Sequence, residues 1–300
     1  MQDITIGFVP RERFSAAAKS LRSILERTRL PFRLIVVDCN TPPRYRRELM
    51  ALLEGRENVD VVQVDRYLLT NQAKNLVVER NESEYLALVE NDVVVSEGWL
   101  THLLEALEEH PAGVATPLII ENGEVHYDRR IASLRTVETP EGEKIEFVAR
   151  PGDWEEQRSG ERQTTLTTEA HALLFRKEVL DAIGPFDEQL TTRREIDLIM
   201  KLYKRDIPIV FEPKSVVEFC SPPPVYADER AFFEMTWDAE AARRSNERIE
   251  RKWDLVALPR SEGFARERRL WYTSHLRYRM LQLLKRVQAK SLHLQHVWKQ

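Results

Sequence analysis

Three hundred residues, 42% hydrophobic and 31% charged, allow one large domain with an appendage or two small ones, and a sizeable core in either case. No run of about 18 apolar residues is present to span a bilayer, and "MQDITIGFVPRER" enters a strand pattern without a basic segment, an apolar segment and a cleavage site. A soluble, cytoplasmic protein is therefore expected, and the two cysteines, Cys39 and Cys220, have neither metal-ligand spacing nor the number for a disulfide framework.

In chain order, "ITIGFV" predicts a strand, "SAAAKSLRSILERT" a helix with Ala17, Leu21, Ile24 and Leu25 on one face, and "RLIVVD" a continuously apolar second strand. "RYRRELMALLEG" predicts a helix, "VDVVQV" a third strand, "TNQAKNLVVERN" a helix and "YLALVE" a fourth strand. Buried strands alternating with helices imply a parallel sheet covered on both faces. In such sheets ligands bind beyond the carboxyl ends of the strands, so Pro10 to Arg13, Asp38-Cys39-Asn40 and Glu90-Asn91-Asp92 are expected along one edge. A nucleotide suits that edge, because helix N-termini following strands offer donors to an anion. Neither G-x-G-x-x-G after the first strand nor G-x-x-x-x-G-K-[ST] is present, so the dinucleotide and P-loop readings lose their main support.

Farther on, "WLTHLLEALEEH" predicts a helix and "GVATPLII" a strand, while Glu121 to Thr168 is expected to form loops and short strands above the sheet. "EAHALLFRKEVLDAIGPFDE" predicts a strand and a helix, "REIDLIMKLYKRD" a helix, and "IPIVFEP" with "SVVEF" further strands. "SPPP" ends regular structure, and "ERAFFEMTWDAEAARRSNERIERKWD" is helical.

From Arg260 to Gln300 ten Lys+Arg stand against two Asp+Glu, which makes the tail basic and the remainder acidic within a net charge of -4. Leu276, Met280, Leu283, Leu284 and Val287 recur there at helical spacing. Such a helix packs on its own domain or on a second copy, or lies on an anionic membrane as a peripheral contact. Arg266, Arg268, Arg269, Arg277, Arg279, Lys285 and Arg286 interleave with Trp271, Tyr272 and Tyr278, but no nucleic-acid-binding module accompanies them, so no nucleic-acid partner is expected.

Two acidic clusters carry the chemistry. Glu90 and Asp92, flanking Asn91 at a strand end, can reach a divalent cation together with diphosphate oxygens, since Mg²⁺ and Mn²⁺ prefer oxygen ligands. Alternatively Asp92 caps the structure that follows and Glu90 is solvated. Glu195 and Asp197 begin a helix, where the helix dipole favours acids by about 0.3–1 kcal/mol each, so capping accounts for one of them.

Together, "ITIGFVPRERFSAAAKSLRSIL", "FRLIVVDCNTP", "NQAKNLVVERNESEYLALVENDV", the stretch from "LLFRKEVLDAIGPFDE" to "VVEF", and "RSNERIERKWD" resemble in consistent order the family 2 glycosyltransferases of the GT-A fold. The resemblance implies a Rossmann-like, mixed, mostly parallel sheet flanked by helices. It divides the chain into a GT-A domain over 1–255, with a nucleotide-binding half (1–100) and an acceptor half (101–255), and a basic helical extension over 256–300. It implies an inverting transfer, dependent on Mg²⁺ or Mn²⁺, from a UDP- or GDP-linked sugar to a saccharide, lipid-linked or protein acceptor. A nucleotide-sugar-binding scaffold without turnover is the alternative.

Position by position, the resemblance sets Pro10 and Glu12 beside the nucleotide, Asp38 on its base, and Lys74 and Asn75 near base or phosphates. Asp92, with Glu90 as companion and Asn91 between them, would hold the metal on the diphosphate. Glu195 falls at the catalytic base and Asp197 supports that helix start, while His171 and Trp99 fall toward the acceptor. Four residues depart from the family's pattern, the first being Glu90 in place of the leading aspartate of Asp-x-Asp. Cys39 replaces a second aspartate, Phe219 stands where a metal-ligating histidine is frequent, and Arg194 replaces an acidic residue before Glu195.

Overall fold

A computed structural model describes residues 3–121, 124–125, 130–151, 161–166, 168–220, 225–274, 276–277, 279–280 and 283–284. The first half alternates strand and helix as its hydrophobic pattern predicts. Strands β1 (Ile4–Val9), β2 (Arg33–Cys39), β3 (Val59–Val64) and β4 (Tyr85–Glu90) alternate with helices α1 (Ala17–Arg27), α2 (Pro43–Leu53) and α3 (Thr70–Arg80). These strands run parallel in the order β4-β1-β2-β3. Period-2 alternation sends Ile4, Ile6, Phe8, Leu34 and Val36 to a core shared with α1 and α4 (Trp99–Glu109). It sends Val9, Ile35 and Val37 to a second core beneath α3. Gly7 is required at this seam: a Cβ there would lie 2.4 Å from Val77 Cγ1, so only glycine lets α3 sit this close to β1.

The sheet continues through β11 (Ala172–Arg176), β6 (Val114–Glu121) and β12 (Ile209–Phe219) to β10 (Gln163–Thr165). β11 is antiparallel to both β4 and β6, and β6 pairs in parallel with β12. Short strands β5 (Val93–Val95) and β7 (Glu124–Val125) join β12 and β6, both antiparallel. Six strands thus share one direction and the sheet is mixed and mostly parallel. The two strands expected from "IPIVFEP" and "SVVEF" are one strand, β12, interrupted by a register shift between Glu212 and Val216.

The segment expected as loops and short strands instead contains a long two-stranded ribbon, β8 (Arg130–Thr139) with β9 (Gly142–Pro151), in register from Arg130↔Pro151 to Thr139↔Gly142. Leu134, Ile145 and Phe147 of the ribbon pack against Leu190, Ile196, Met200, Ile249 and Leu258. Ile145 also exchanges backbone hydrogen bonds with Asp254 and Val256, at 2.9 Å each. The ribbon thereby lies against the helices that carry the second acidic cluster.

The remaining helices are α5 (Lys177–Ile183), α6 (Arg194–Tyr203), α7 (Arg230–Thr236), α8 (Ala239–Trp253) and α9 (Ser261–Tyr272). The helical stretch expected from residue 229 is broken at Trp237-Asp238, where the Asp238 carboxylate accepts from the Ala241 N–H at 2.8 Å and caps α8. "SPPP" and Val287 lie outside the described residues. Among the described residues no helix is long and apolar enough to cross a membrane.

Candidate active site at the strand ends

β4 ends in a tight turn whose backbone is fixed on both sides. The Asn91 N–H donates to Val9 C=O at 2.9 Å and the Glu90 N–H to His171 C=O at 2.9 Å. Asn91 has no free atom for a nucleotide: its amide donates to Arg13 C=O at 2.8 Å and accepts from the Arg11 N–H at 3.2 Å. It therefore braces the loop after β1. Val93–Val95 continue buried beyond the turn, paired with Phe219–Val217.

Glu90 and Asp92 are fully buried and His171 nearly so, and ligand atoms of the three lie within 4.8 Å of one another. Neither acid is solvated or caps a helix. Glu90 Oε1 meets Lys74 Nζ at 3.1 Å and Arg194 Nη1 at 3.2 Å. Its Oε2 meets His171 Nδ1 at 3.0 Å and Arg11 Nε at 3.1 Å. Asp92 Oδ2 accepts from Arg11 Nη1 at 2.9 Å, whereas Asp92 Oδ1 is buried without a hydrogen-bond partner.

These surroundings push the two carboxyls apart. Burial would raise Glu90, but Lys74, Arg194 and the His171 hydrogen bond outweigh it and hold Glu90 well below the usual carboxylate range. Burial raises Asp92, and Arg11 and His171 do not offset it against neighbouring Glu90 and Glu12. Burial and Arg11 lower the His171 imidazole, which is therefore neutral at pH 7. A carboxylate only accepts, so Nδ1 carries the proton shared with Glu90. His171 also stacks on Phe219 at 4.6 Å between centroids. His171, expected toward the acceptor, is placed beneath Glu90 and buried.

Glu12, expected beside the nucleotide, is fully buried in an adjoining ion cluster, joined to the first by Arg11 Nη1 at 3.4 Å from Glu12 Oε2. Arg13 Nη2 donates to it at 2.7 Å, Arg268 Nη2 to both oxygens at 3.1 Å, and the Trp237 indole N–H at 2.8 Å. Arg268 comes from α9 and lies over the rings of Trp237 and Tyr272, at 4.6 and 4.9 Å. The basic C-terminal segment therefore inserts a side chain into the body through α9. Beyond it, Leu276, Met280, Leu283 and Leu284 are exposed.

Asn75, expected near base or phosphates, brackets the "IGPFDE" turn. Its Oδ1 accepts from the Phe186 N–H at 2.8 Å, and its Nδ2 donates to Phe186 C=O and Glu188 Oε1, both at 2.9 Å. Asn75→Ala leaves the buried Phe186 N–H and C=O unpaired and is expected to cost about 1–3 kcal/mol, read from the urea midpoint. Lys74 is buried between Glu90 and the Ala170 C=O, at 3.1 Å from each. Trp99 is fully buried, its indole donating to Thr28 Oγ1 at 3.0 Å; it belongs to the core and meets no acceptor.

The second cluster begins α6. Arg193 precedes the helix at φ 63°, a left-handed conformation that costs a residue with a Cβ about 1–2 kcal/mol. It is held there by a hydrogen bond from its Nε to Asn246 Oδ1 at 3.0 Å. No side chain caps α6, and Asp197 is buried, accepting from the Trp253 indole at 2.9 Å and pairing with Lys252 at 2.7 Å. The closing Lys-Trp segment therefore anchors this helix start. Glu195 is half-buried, and among the described residues its carboxylate has no hydrogen-bond or ion-pair partner. Arg194, beside it, reaches Glu90 and draws the start of α6 to the end of β4.

At the neighbouring strand ends, β2 and β3 open into a cavity of about 1240 Å³ lined by Asp38, Asn40, Arg46, Asp65, Tyr67 and Asp228, among others. Asp38 pairs with Arg46 at 2.7 Å and accepts from the Thr41 N–H at 3.2 Å. Asp65, Tyr67 and Asp228 were not singled out from the sequence, although Asp65 follows the third strand as Asp38 ends the second. Arg11 and Arg13 were expected on this edge and Arg268 in the basic tail, but their pairing with buried acids was not foreseen, since basic residues ordinarily read as solvated.

A sheet of this order, with acids at the ends of β2 and β4 and an acidic helix start brought to the same edge, is the arrangement of a GT-A enzyme. The sequence profile of glycosyl transferase family 2 matches residues 11–184, more than half of the chain, and the protein belongs to that family. The fold is similar to that of GalNAc-T7 with UDP, GalNAc and Mn²⁺, at TM-score 0.55 and 14% identity over 85% of this chain and 55% of that one. It is also similar to the mannosyltransferase PcManGT from Pyrobaculum calidifontis in complex with GDP-Man and Mn²⁺, at TM-score 0.56 and 14% identity over 89% and 68%. For S. aureus TarS 1–349 with UDP-GlcNAc the TM-score is 0.54, with 16% identity over 88% and 75%. The chain thus spans about half the length of GalNAc-T7. No curated protein sequence matches it.

Relatives that carry Mn²⁺ raise the question whether the acidic cluster here fits a divalent cation. Both oxygens of Glu90 and one of Asp92 are already engaged by cationic groups or His171, and Phe219 offers no ligand atom. Asp92 Oδ1 alone is unpartnered. Glu90, Asp92 and His171 could together hold a divalent cation, but with the Arg11 guanidinium between the two acids the site is a poor one for Mg²⁺ or Mn²⁺, which need several free ligand atoms and no adjacent positive charge. As arranged, these residues do not fit the metal.

Proposed function

We propose that this protein moves a sugar from a UDP- or GDP-linked donor to an acceptor hydroxyl with inversion at the anomeric carbon. The observation that carries this reading is the Arg194–Glu90 contact, which brings Glu195 to the strand-end edge where Asp38 borders an open cavity. The nucleoside occupies that cavity, close to Asp38 and Pro10. Glu195, unpaired and half-exposed, removes the proton from the acceptor hydroxyl. The acceptor oxygen then attacks the anomeric carbon as its bond to the diphosphate breaks, and the nucleoside diphosphate leaves with the bonding electrons. Donor nucleotides bound in the structural relatives support UDP and GDP as the bases to try first.

A thermal-shift panel of UDP, GDP and their sugars tests this directly. A ligand at 100 times its Kd stabilises the fold by about 2.7 kcal/mol, so the matching nucleotide raises Tm by several degrees. No shift from any nucleotide contradicts the reading. Binding without turnover is a second reading, supported by the heavy neutralisation of Glu90, and release of nucleoside diphosphate from the donor separates the two. The exposed Leu276, Met280, Leu283 and Leu284 support peripheral membrane contact or pairing of two copies through the C-terminal helices.

A further inference from the structure

The misfit between the acidic cluster and a divalent cation has a positive counterpart. Arg11 stands where a cation bridging Glu90 and Asp92 would stand, its Nε 3.1 Å from the first and its Nη1 2.9 Å from the second. The guanidinium carbon lies 4.8 Å from the centre of the Phe219 ring. A histidine at 219 would face the guanidinium with a second basic group, whereas a phenyl face attracts it. The two departures from the family's pattern noted in the sequence, Phe219 and Arg194, thus converge with Arg11 on the same carboxylates.

Charge counting gives the consequence. Arg11 also lies 3.4 Å from Glu12, so the linked network holds three negative charges, Glu12, Glu90 and Asp92, against five positive ones, Arg11, Arg13, Lys74, Arg194 and Arg268, with His171 neutral. The cluster is therefore cationic without a metal. Arg11 and Arg194 each keep a small exposed edge, about a tenth of the side chain, while Lys74 is buried against Glu90. Guanidinium groups bind phosphate oxygens through paired, charge-assisted hydrogen bonds.

Resting on the proposed transfer from a nucleotide-sugar, we propose that the donor diphosphate is held by Arg11 and Arg194, with Arg11 taking the place of the divalent cation, so that this enzyme binds its nucleotide without metal. Lys74 and His171 position Glu90, which in turn orients both guanidinium groups. Departure of the nucleoside diphosphate then needs no added cation, because its developing charge meets groups already in place.

Two titrations test this on the full chain. Free Mn²⁺ is followed by its EPR signal as protein alone is added, and UDP and GDP are titrated calorimetrically in EDTA and in Mn²⁺. The expected result is an undiminished Mn²⁺ signal and a nucleotide affinity in EDTA within about threefold of that in Mn²⁺. Arg194→Gln, at the exposed side of the cluster, should weaken nucleotide binding in EDTA by about tenfold. Arg11→Gln should weaken it at least as much and, by removing the cation between Glu90 and Asp92, make binding respond to Mn²⁺. Wild-type binding that requires Mn²⁺, Mn²⁺ captured by the protein alone, or unchanged affinity in Arg194→Gln overturns the proposal while leaving sugar transfer intact. Failure of both UDP and GDP to bind under either condition overturns sugar transfer, and this inference with it.

Discussion

Glu195→Gln is expected to lower sugar transfer by about 10²- to 10⁴-fold while leaving nucleotide affinity within a factor of about two. The substitution keeps the shape and the amide oxygen but removes the only group at this helix start able to take a proton. Asp197 cannot replace it, because Trp253 and Lys252 hold that carboxylate on the buried side of α6. Nor can Glu90, whose protonation is opposed by Lys74 and Arg194. Rates of nucleoside diphosphate release with and without acceptor, set beside a calorimetric Kd for the same variant, separate lost chemistry from lost binding. Normal turnover in Glu195→Gln would remove it from the role of base.

The largest stability effect is expected at Glu12. Glu12→Ala removes from the interior the carboxylate that Arg13, Arg268 and Arg11 share, and removes the acceptor of the Trp237 indole. Loss of one partner of a buried ion cluster costs about 3–5 kcal/mol, which is a large share of a domain's total stability. Burial raises the Glu12 carboxyl, but Arg268, Arg11 and Arg13 together pull it well below the usual carboxylate range. Its contribution is therefore full above the unfolded carboxyl's pKa and is lost as the pH falls through the lower folded value. Asp92 runs the other way: its raised pKa means that its charged form costs stability at neutral pH. Urea unfolding of wild type and Glu12→Ala at pH 7 checks the magnitude. A difference under about 1 kcal/mol would mean that α9 is not tied to the body through this cluster.

Much of the fold was legible because both faces of its sheet are covered: continuous apolar strands such as "RLIVVD" and "YLALVE" leave no other reading. The ribbon β8–β9 was harder to see. It packs only around Leu134, Ile145 and Phe147, so its apolar alternation is short and interrupted by charge. The site was legible in position and not in wiring. Glu90 and Asp92 stand out as acids where an apolar run stops and Glu195 as an acid at a helix start, but the partners of the first two lie far along the chain, and a local pattern does not record that Arg268 is the counter-ion of Glu12. Asn75 is the instructive case. It belongs to a stretch that resembles the family's nucleotide half, yet its amide closes the Phe186 turn. Phe219 and Arg194 were the local signals of the altered electrostatics, an aromatic residue at the place of a frequent ligand and a cation at the place of a frequent acid.

Difference density for UDP or GDP soaked into crystals of the protein tests the account most directly. The base is expected in the cavity beside Asp38, Asp65 and Tyr67, with the diphosphate against Arg11 and Arg194 and its sugar-bearing end toward Glu195. Nucleotide density away from the ends of β2 and β4, or a diphosphate remote from both arginines, would contradict it.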